Sequence, residues 1–161
     1  MEDTIYYIDL DNVIINTLDL ILEELDKFNG PDRETFFRNV NWLEYAYRSK
    51  SINYSVEIIK EVERLKRLKM IILTKINTVN EMSDKEFFLR KELGIYSPIM
   101  FVPVSSFKSQ IAMPNSGDIL IDDDLKNVLE WELSGAKSYL FNQPDINYHS
   151  KVKSLEFLLR R

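Results

Sequence analysis

Thr4-Ile5-Tyr6-Tyr7-Ile8-Asp9-Leu10-Asp11-Asn12-Val13 is the stretch on which the reading of the chain turns. Ile5 to Ile8 are apolar or aromatic with β propensity, so the segment predicts a buried strand. Asp9 and Asp11 do not belong in its interior. Two residues apart on extended backbone, they point to the same side. Like charges held together at the end of a buried element repel unless a cation neutralises them, and a divalent metal with oxygen ligands suits two carboxylates. Taken alone, such a pair more often decorates the loop after a strand. The rest of the chain decides between the two.

The length, 161 residues, suits one domain with a real core and a small insertion. An apolar content of 45% and a charged content of 29% are those of an ordinary globular chain. The formal charge, 21 − 26 = −5, provides no basic field for a polynucleotide backbone, so long nucleic acid is not an expected partner. A small phosphorylated molecule needs only a few local cations. The chain has no cysteine and one histidine, His149, which excludes disulfides, thiolate metal sites and histidine-rich ones. Any chemistry must run on carboxylates, hydroxyls and lysines. No apolar run is long enough for a membrane helix, and the acidic Met1-Glu2-Asp3-Thr4 is unlike a signal peptide, so a cytoplasmic location is expected.

Val13 to about Phe28 has helical periodicity and stops at Asn29-Gly30-Pro31-Asp32. Thr35 to Tyr47 is dense in aromatics, including Phe36, Phe37, Trp42 and Tyr45. An amphipathic helix is predicted from Tyr54 to Lys69, its charged face solvated, followed by a buried strand over Met70 to Thr74. Asn80 to Leu93 predicts a helix with Gly94 at its C-cap. Pro98 to Val104 predicts a strand that its two prolines place at an edge, and Ser105 to Lys108 a loop. Gly117 to Asp123 is a fourth strand, Asp124 to Leu133 a helix, Lys137 to Phe141 a fifth strand and Ser154 to Arg161 a last helix.

Strands alternating with helices imply an α/β fold, a doubly wound Rossmann-like parallel sheet of about five strands. Two helices over about residues 15–50 are too much for one crossover and read as a small helical cap inserted after the first strand. In such a sheet ligands bind outside the carboxyl ends of the strands. The first strand delivers Asp9 and Asp11 there, the second Thr74 and the fourth Asp122 and Asp123, with Lys108 in the loop before it. Agreement of all four signals in this order is far more specific than any one of them.

The series Asp9-Leu10-Asp11-Asn12-Val13, Leu73-Thr74, Lys108 and Ile121-Asp122-Asp123-Asp124-Leu125-Lys126-Asn127 resembles the haloacid dehalogenase-like phosphohydrolases over nearly the whole chain. The segment from Gly117 to Asp123 with Asn127 and Trp131, and the short cap, resemble the 5′(3′)-deoxyribonucleotidase branch. The resemblance implies that Asp9 is the nucleophile, forming an aspartyl-phosphate. It implies that Asp11 is the general acid and then the base, which requires surroundings that raise its pKa. It implies a Mg²⁺ ion held by Asp9, the Asp11 carbonyl and Asp122, with Asp123 as ligand or support. Thr74 and Lys108 would bind the phosphoryl oxygens, helped by backbone N–H groups from Leu10 to Val13, Asn12 among them. Asn12 stands where the family often has glycine and tolerates the left-handed backbone such a turn needs.

Lys75 reads as a solvated loop lysine rather than a substrate contact. Phe36, Phe37, Trp42 and Tyr45 could stack a nucleobase, though aromatics on short helices more often form a core of their own. Asn127 is expected to support the loop, Trp131 to pack and His149 to lie on the surface. The function expected is a Mg²⁺-dependent phosphomonoesterase, a nucleotidase acting on (deoxy)nucleoside monophosphates. The alternatives are a phosphatase for another small ester, such as a sugar phosphate or a nucleic-acid 3′-phosphate end, and a binding domain that keeps the fold without turnover.

Overall fold

The computed structural model describes residues 4–161, so the expectation for Met1, Glu2 and Asp3 lies outside the described residues. Among those described, six strands form one sheet. They are Ile5–Ile8 (β1), Lys69–Ile76 (β2), Ile99–Pro103 (β3), Ile119–Asp122 (β4), Lys137–Phe141 (β5) and Lys151–Val152 (β6). Their order is β3-β2-β1-β4-β5-β6, and every neighbouring pair is parallel. The sixth strand is an addition to the five expected. Two residues carry no alternation to read, and β6 is set by the amides of Leu140 and Asn142, each donating at 2.8 Å to the carbonyls of Ser150 and Val152. Pro98 and Pro103 sit at the β3 edge, where a missing N–H breaks no second ladder.

Alternate residues of β1 feed two cores. Tyr6 and Ile8 join the larger cluster with Ile59, Ile72 and Ile121, while Tyr7 joins Leu73, Leu120 and Trp131 on the opposite face. The larger face is covered by the helix Ser55–Leu65 (α4), the other by Leu125–Leu133 (α7).

Between β1 and α4 the described chain has three helices rather than two: Thr17–Leu25 (α1), Arg33–Asn39 (α2) and Trp42–Arg48 (α3). Helix α1 starts four residues later than the periodicity suggests. The amides of Ile14 and Ile15 turn back to the carbonyl of Leu10 at 2.9 and 3.3 Å, so Val13 to Ile15 form a buried turn. Asp32 caps α2 by accepting from the Thr35 amide at 2.7 Å, and extended backbone at Val40 separates α2 from α3. Ile21, Trp42 and Ala46 are buried in the same cluster as β1, with Phe36, Phe37 and Tyr45 packed against it. The insertion has no core of its own.

Helix α4 ends at Leu65, with Lys66 left-handed at φ 53°. The helix after β2, Val79–Phe87 (α5), starts at the Thr78 cap and continues as a wide π-helical turn through Phe88–Leu93 to Gly94, whose φ is 65°. Lys108 opens a short helix, Lys108–Ala112 (α6), instead of lying in a loop. The last turn, Glu156–Arg160, is 3₁₀ rather than α. No helix among the described residues is long and apolar enough to cross a membrane.

Candidate active site

The chain leaves β1 to build β2 and β3 on one side and then crosses to β4 on the other, so β1 and β4 flank the point where strand order reverses. Asp9 follows β1, Asp122 ends β4 and Asp123 comes next. One carboxylate oxygen from each lies within 4.8 Å of the others. Lys108 reaches this cluster from α6, its Nζ 2.5 Å from Asp9 Oδ1 and 2.6 Å from Asp122 Oδ2. The Asp122 carboxylate also accepts from the Asp124 amide at 2.9 Å and from Asn127 Nδ2 at 3.2 Å.

One buried ammonium cannot neutralise three carboxylates. Burial raises the Asp9 carboxyl, Lys108 pulls it back, and Asp122 and Asp11 push it up again, to about 7. Burial followed by Asp122 and Asp9 raises Asp123 to about 9. Lys108 is buried too, yet Asp122 and Asp9 hold its ammonium well above the ordinary lysine range. All three carboxylates offer hard oxygen donors, with Asp9 and Asp122 sharing the one Lys108 ammonium, which fits a cation such as Mg²⁺ and gives no soft ligand for a transition metal.

Asp11 is outside the cluster, because its carboxylate turns away from it. Oδ2 accepts from Lys85 Nζ at 2.7 Å, and Oδ1 accepts from Trp42 Nε1 at 2.8 Å and from the Thr17 hydroxyl. Lys85, from α5, also contacts Glu81 at 2.8 Å, the Lys75 carbonyl at 2.6 Å and the Thr74 hydroxyl at 3.1 Å. Burial works to raise the Asp11 carboxyl, but Lys85, with Thr17 and Trp42, holds it below the usual carboxylate range. The donors around Asp11 thus favour its ionised form over the neutral form that a general acid needs. Lys85 is the residue that sequence reasoning missed. With Glu81 it forms an i, i+4 pair indistinguishable from a solvated helix face, and no local signal marks it as buried.

The carboxylates open into a cavity of about 320 Å³. Its polar wall carries Asp9, Asp11, Lys75, Asn77, Lys108, Asp123 and Asn127, and its apolar wall carries Leu18, Ile21, Phe37, Val40, Trp42 and Val104. All of the apolar residues but Val104 come from the insertion.

The other expected site residues are placed differently. Asn12 has the left-handed backbone, at φ 62°, but does not line the cavity. Its amide group bonds Asp19, and its N–H donates to Ile15 at 2.7 Å, so neither is left for a phosphate. Thr74 is wholly buried and off the cavity wall, because β2 runs on to Ile76 and its hydroxyl accepts from Lys85. Lys75 is not a solvated loop residue: it sits in β2, half-buried, on the cavity wall. Burial and the nearby Lys108 lower its pKa. Asn127 braces Asp122. Trp131 packs edge-on to Tyr7 at 5.0 Å, and the exposed His149 lies 3.4 Å from Glu132.

No family model matches the sequence, and no curated protein matches it. Solved structures do share its fold. A haloacid dehalogenase-like hydrolase from Streptococcus pneumoniae is 14% identical, with a TM-score of 0.61 over 98% of both chains. The hydrolase YfnB from Bacillus subtilis, bound to magnesium, is 12% identical, with a TM-score of 0.64 over 99% of this chain and 98% of its own. A D,D-heptose 1,7-bisphosphate phosphatase from B. bronchiseptica, complexed with magnesium and phosphate, is 12% identical, with a TM-score of 0.57 over 98% of both chains. At these identities the likeness establishes the fold, the Rossmann-type sheet of haloacid dehalogenase-like hydrolases.

Proposed function

We propose that the protein is a Mg²⁺-dependent phosphomonoesterase that works through an aspartyl-phosphate on Asp9, with a small nucleotide as substrate. The observation that carries this reading is the grouping of Asp9, Asp122, Asp123 and Lys108 at the switch point of the sheet, open to a cavity. Lys108 holds Asp9 Oδ1, so attack on phosphorus falls to the other oxygen. The bond from phosphorus to the leaving oxygen breaks, and that oxygen takes from Asp11 the proton that the carboxyl gained from water in the preceding turnover. Water then attacks the aspartyl-phosphate, loses a proton to Asp11 and releases inorganic phosphate and free Asp9. The ionised state of Asp11 suits this second step. Serving as the acid in the first step requires the leaving oxygen to displace part of the Lys85 contact. A bound Mg²⁺ would draw charge from the phosphoryl oxygens and offset the repulsion between substrate and carboxylates.

The apolar wall supports a leaving group with an apolar face, as a nucleoside has. Phosphate release would be measured for deoxynucleoside monophosphates, sugar phosphates and a 3′-phosphorylated oligonucleotide, with and without Mg²⁺. The reading predicts Mg²⁺-dependent release, fastest for mononucleotides and lost in Asp9→Asn. Absence of release from every ester, or release unchanged in Asp9→Asn, contradicts it. Faster turnover of sugar phosphates would keep the chemistry and replace the substrate.

A further inference from the structure

We propose that Trp42 is a positioning residue: its indole N–H, carried by the helical insertion, fixes the orientation of the Asp11 carboxylate on the cavity wall. The proposal rests on the reading of Asp11 as the group that handles protons. Trp42 Nε1 lies 2.8 Å from Asp11 Oδ1, and its ring is buried, with 2% exposure. An indole nitrogen can only donate, so a buried carboxylate is its natural acceptor, and the contact constrains both partners.

The ring has little freedom to follow a moving carboxylate. It stands edge-on to Phe88, with centroids 5.9 Å apart at 86°, and belongs to the buried cluster that includes Ala46 and Ile21. Asp11 is therefore oriented from two sides. Thr17 and Trp42, both in the insertion, hold Oδ1, while Lys85 from α5 holds Oδ2. Trp42 meets Asp11 through its N–H and faces Lys85 with its ring, whose centroid lies 5.4 Å from Nζ, which makes the insertion part of the reacting machinery as well as a wall for the leaving group.

Trp42→Phe keeps a ring in the core and removes the donor together with part of the indole. With p-nitrophenyl phosphate and Mg²⁺, kcat is expected to fall about 10- to 100-fold and KM to stay within about twofold, as for loss of a hydrogen bond to a charged group that acts in turnover. In a double-mutant cycle, Trp42→Phe adds no further loss to Asp11→Asn, because its effect passes through that carboxylate. A purely structural tryptophan would slow both backgrounds equally. The indole N–H resonance of Trp42, assigned by its absence in Trp42→Phe, is expected to move upfield in Asp11→Asn. An unshifted resonance, kcat within about threefold of wild type, or equal losses in both backgrounds would overturn the proposal. If the wild-type protein releases no phosphate, the functional reading fails. If it turns over and Trp42→Phe equals it, only the role of Trp42 fails.

Discussion

Asp9, Asp122 and Asp123 crowd three carboxylates around one ammonium, while Asp11, two residues from Asp9, is matched by Lys85 instead. Two lysines thus divide the acidic groups between a cluster short of positive charge and a carboxylate held ionised. Lys85 is 1% exposed and compensates both Asp11 and Glu81. Lys85→Met leaves two buried acids unpaired, and urea denaturation is expected to show a loss of about 3–5 kcal/mol. A loss below about 1 kcal/mol, the level of a surface pair, would show that Lys85 is not the central buried cation. Asp9 and Asp122 stand out in the sequence because each closes an apolar run where charge has no structural reason to be, whereas Lys108, in the polar stretch Ser105-Ser106-Phe107-Lys108-Ser109, is marked only by its place in the series. Lys85 has no such mark, since its burial depends on Asp11, 74 residues away. Thr74 and Asn12 were drawn toward phosphate by their places in a motif, and the contacts that occupy them are side-chain bonds that a motif does not encode.

At the level of elements, α5 does two things: it carries Lys85 beneath the site, and its π-helical end passes into the Gly94 turn. Gly94 has a φ of 65°, where an L side chain is strained although the space beside it is open but for Lys60. Gly94→Ala is expected to lower stability by about 1–2 kcal/mol, the cost of left-handed backbone, with kcat unchanged. An unchanged denaturation midpoint would argue against that backbone conformation. The four longer strands after β1 and helices α4 and α7 could be read because their apolar periodicity is set by burial on both faces of the sheet. The split of the insertion into α2 and α3 could not be read. The aromatics on either side of Val40 serve one buried cluster, so composition does not change across the break.

Across the whole molecule, the strand order β3-β2-β1-β4-β5-β6 brings residues 9, 108, 122 and 123 to one edge from distant parts of the chain. The fold supplies a site whose stability depends on what neutralises it. In the metal-free protein Asp9 and Asp123 titrate at about 7 and about 9, above the value of 3.8 that the unfolded chain retains. Between those values the folded state binds more protons than the unfolded one, so its stability falls as pH rises. Asp11 acts in the opposite sense, but only near and below its unfolded value, so it does not disturb this window. In EDTA the melting temperature is expected to drop from pH 5 to pH 9, and added Mg²⁺ to restore most of the loss at the alkaline end. A melting temperature that rises over this range in EDTA, or that ignores Mg²⁺, would speak against a carboxylate site short of cations. The central claim, that Asp9 carries the phosphoryl group, is tested most directly by acid-quenching the protein during turnover of a phosphomonoester with Mg²⁺ and mapping the product by mass spectrometry. The account predicts a phosphoryl group on the peptide that contains Asp9, absent from Asp9→Asn; turnover that proceeds with that peptide unlabelled would contradict it.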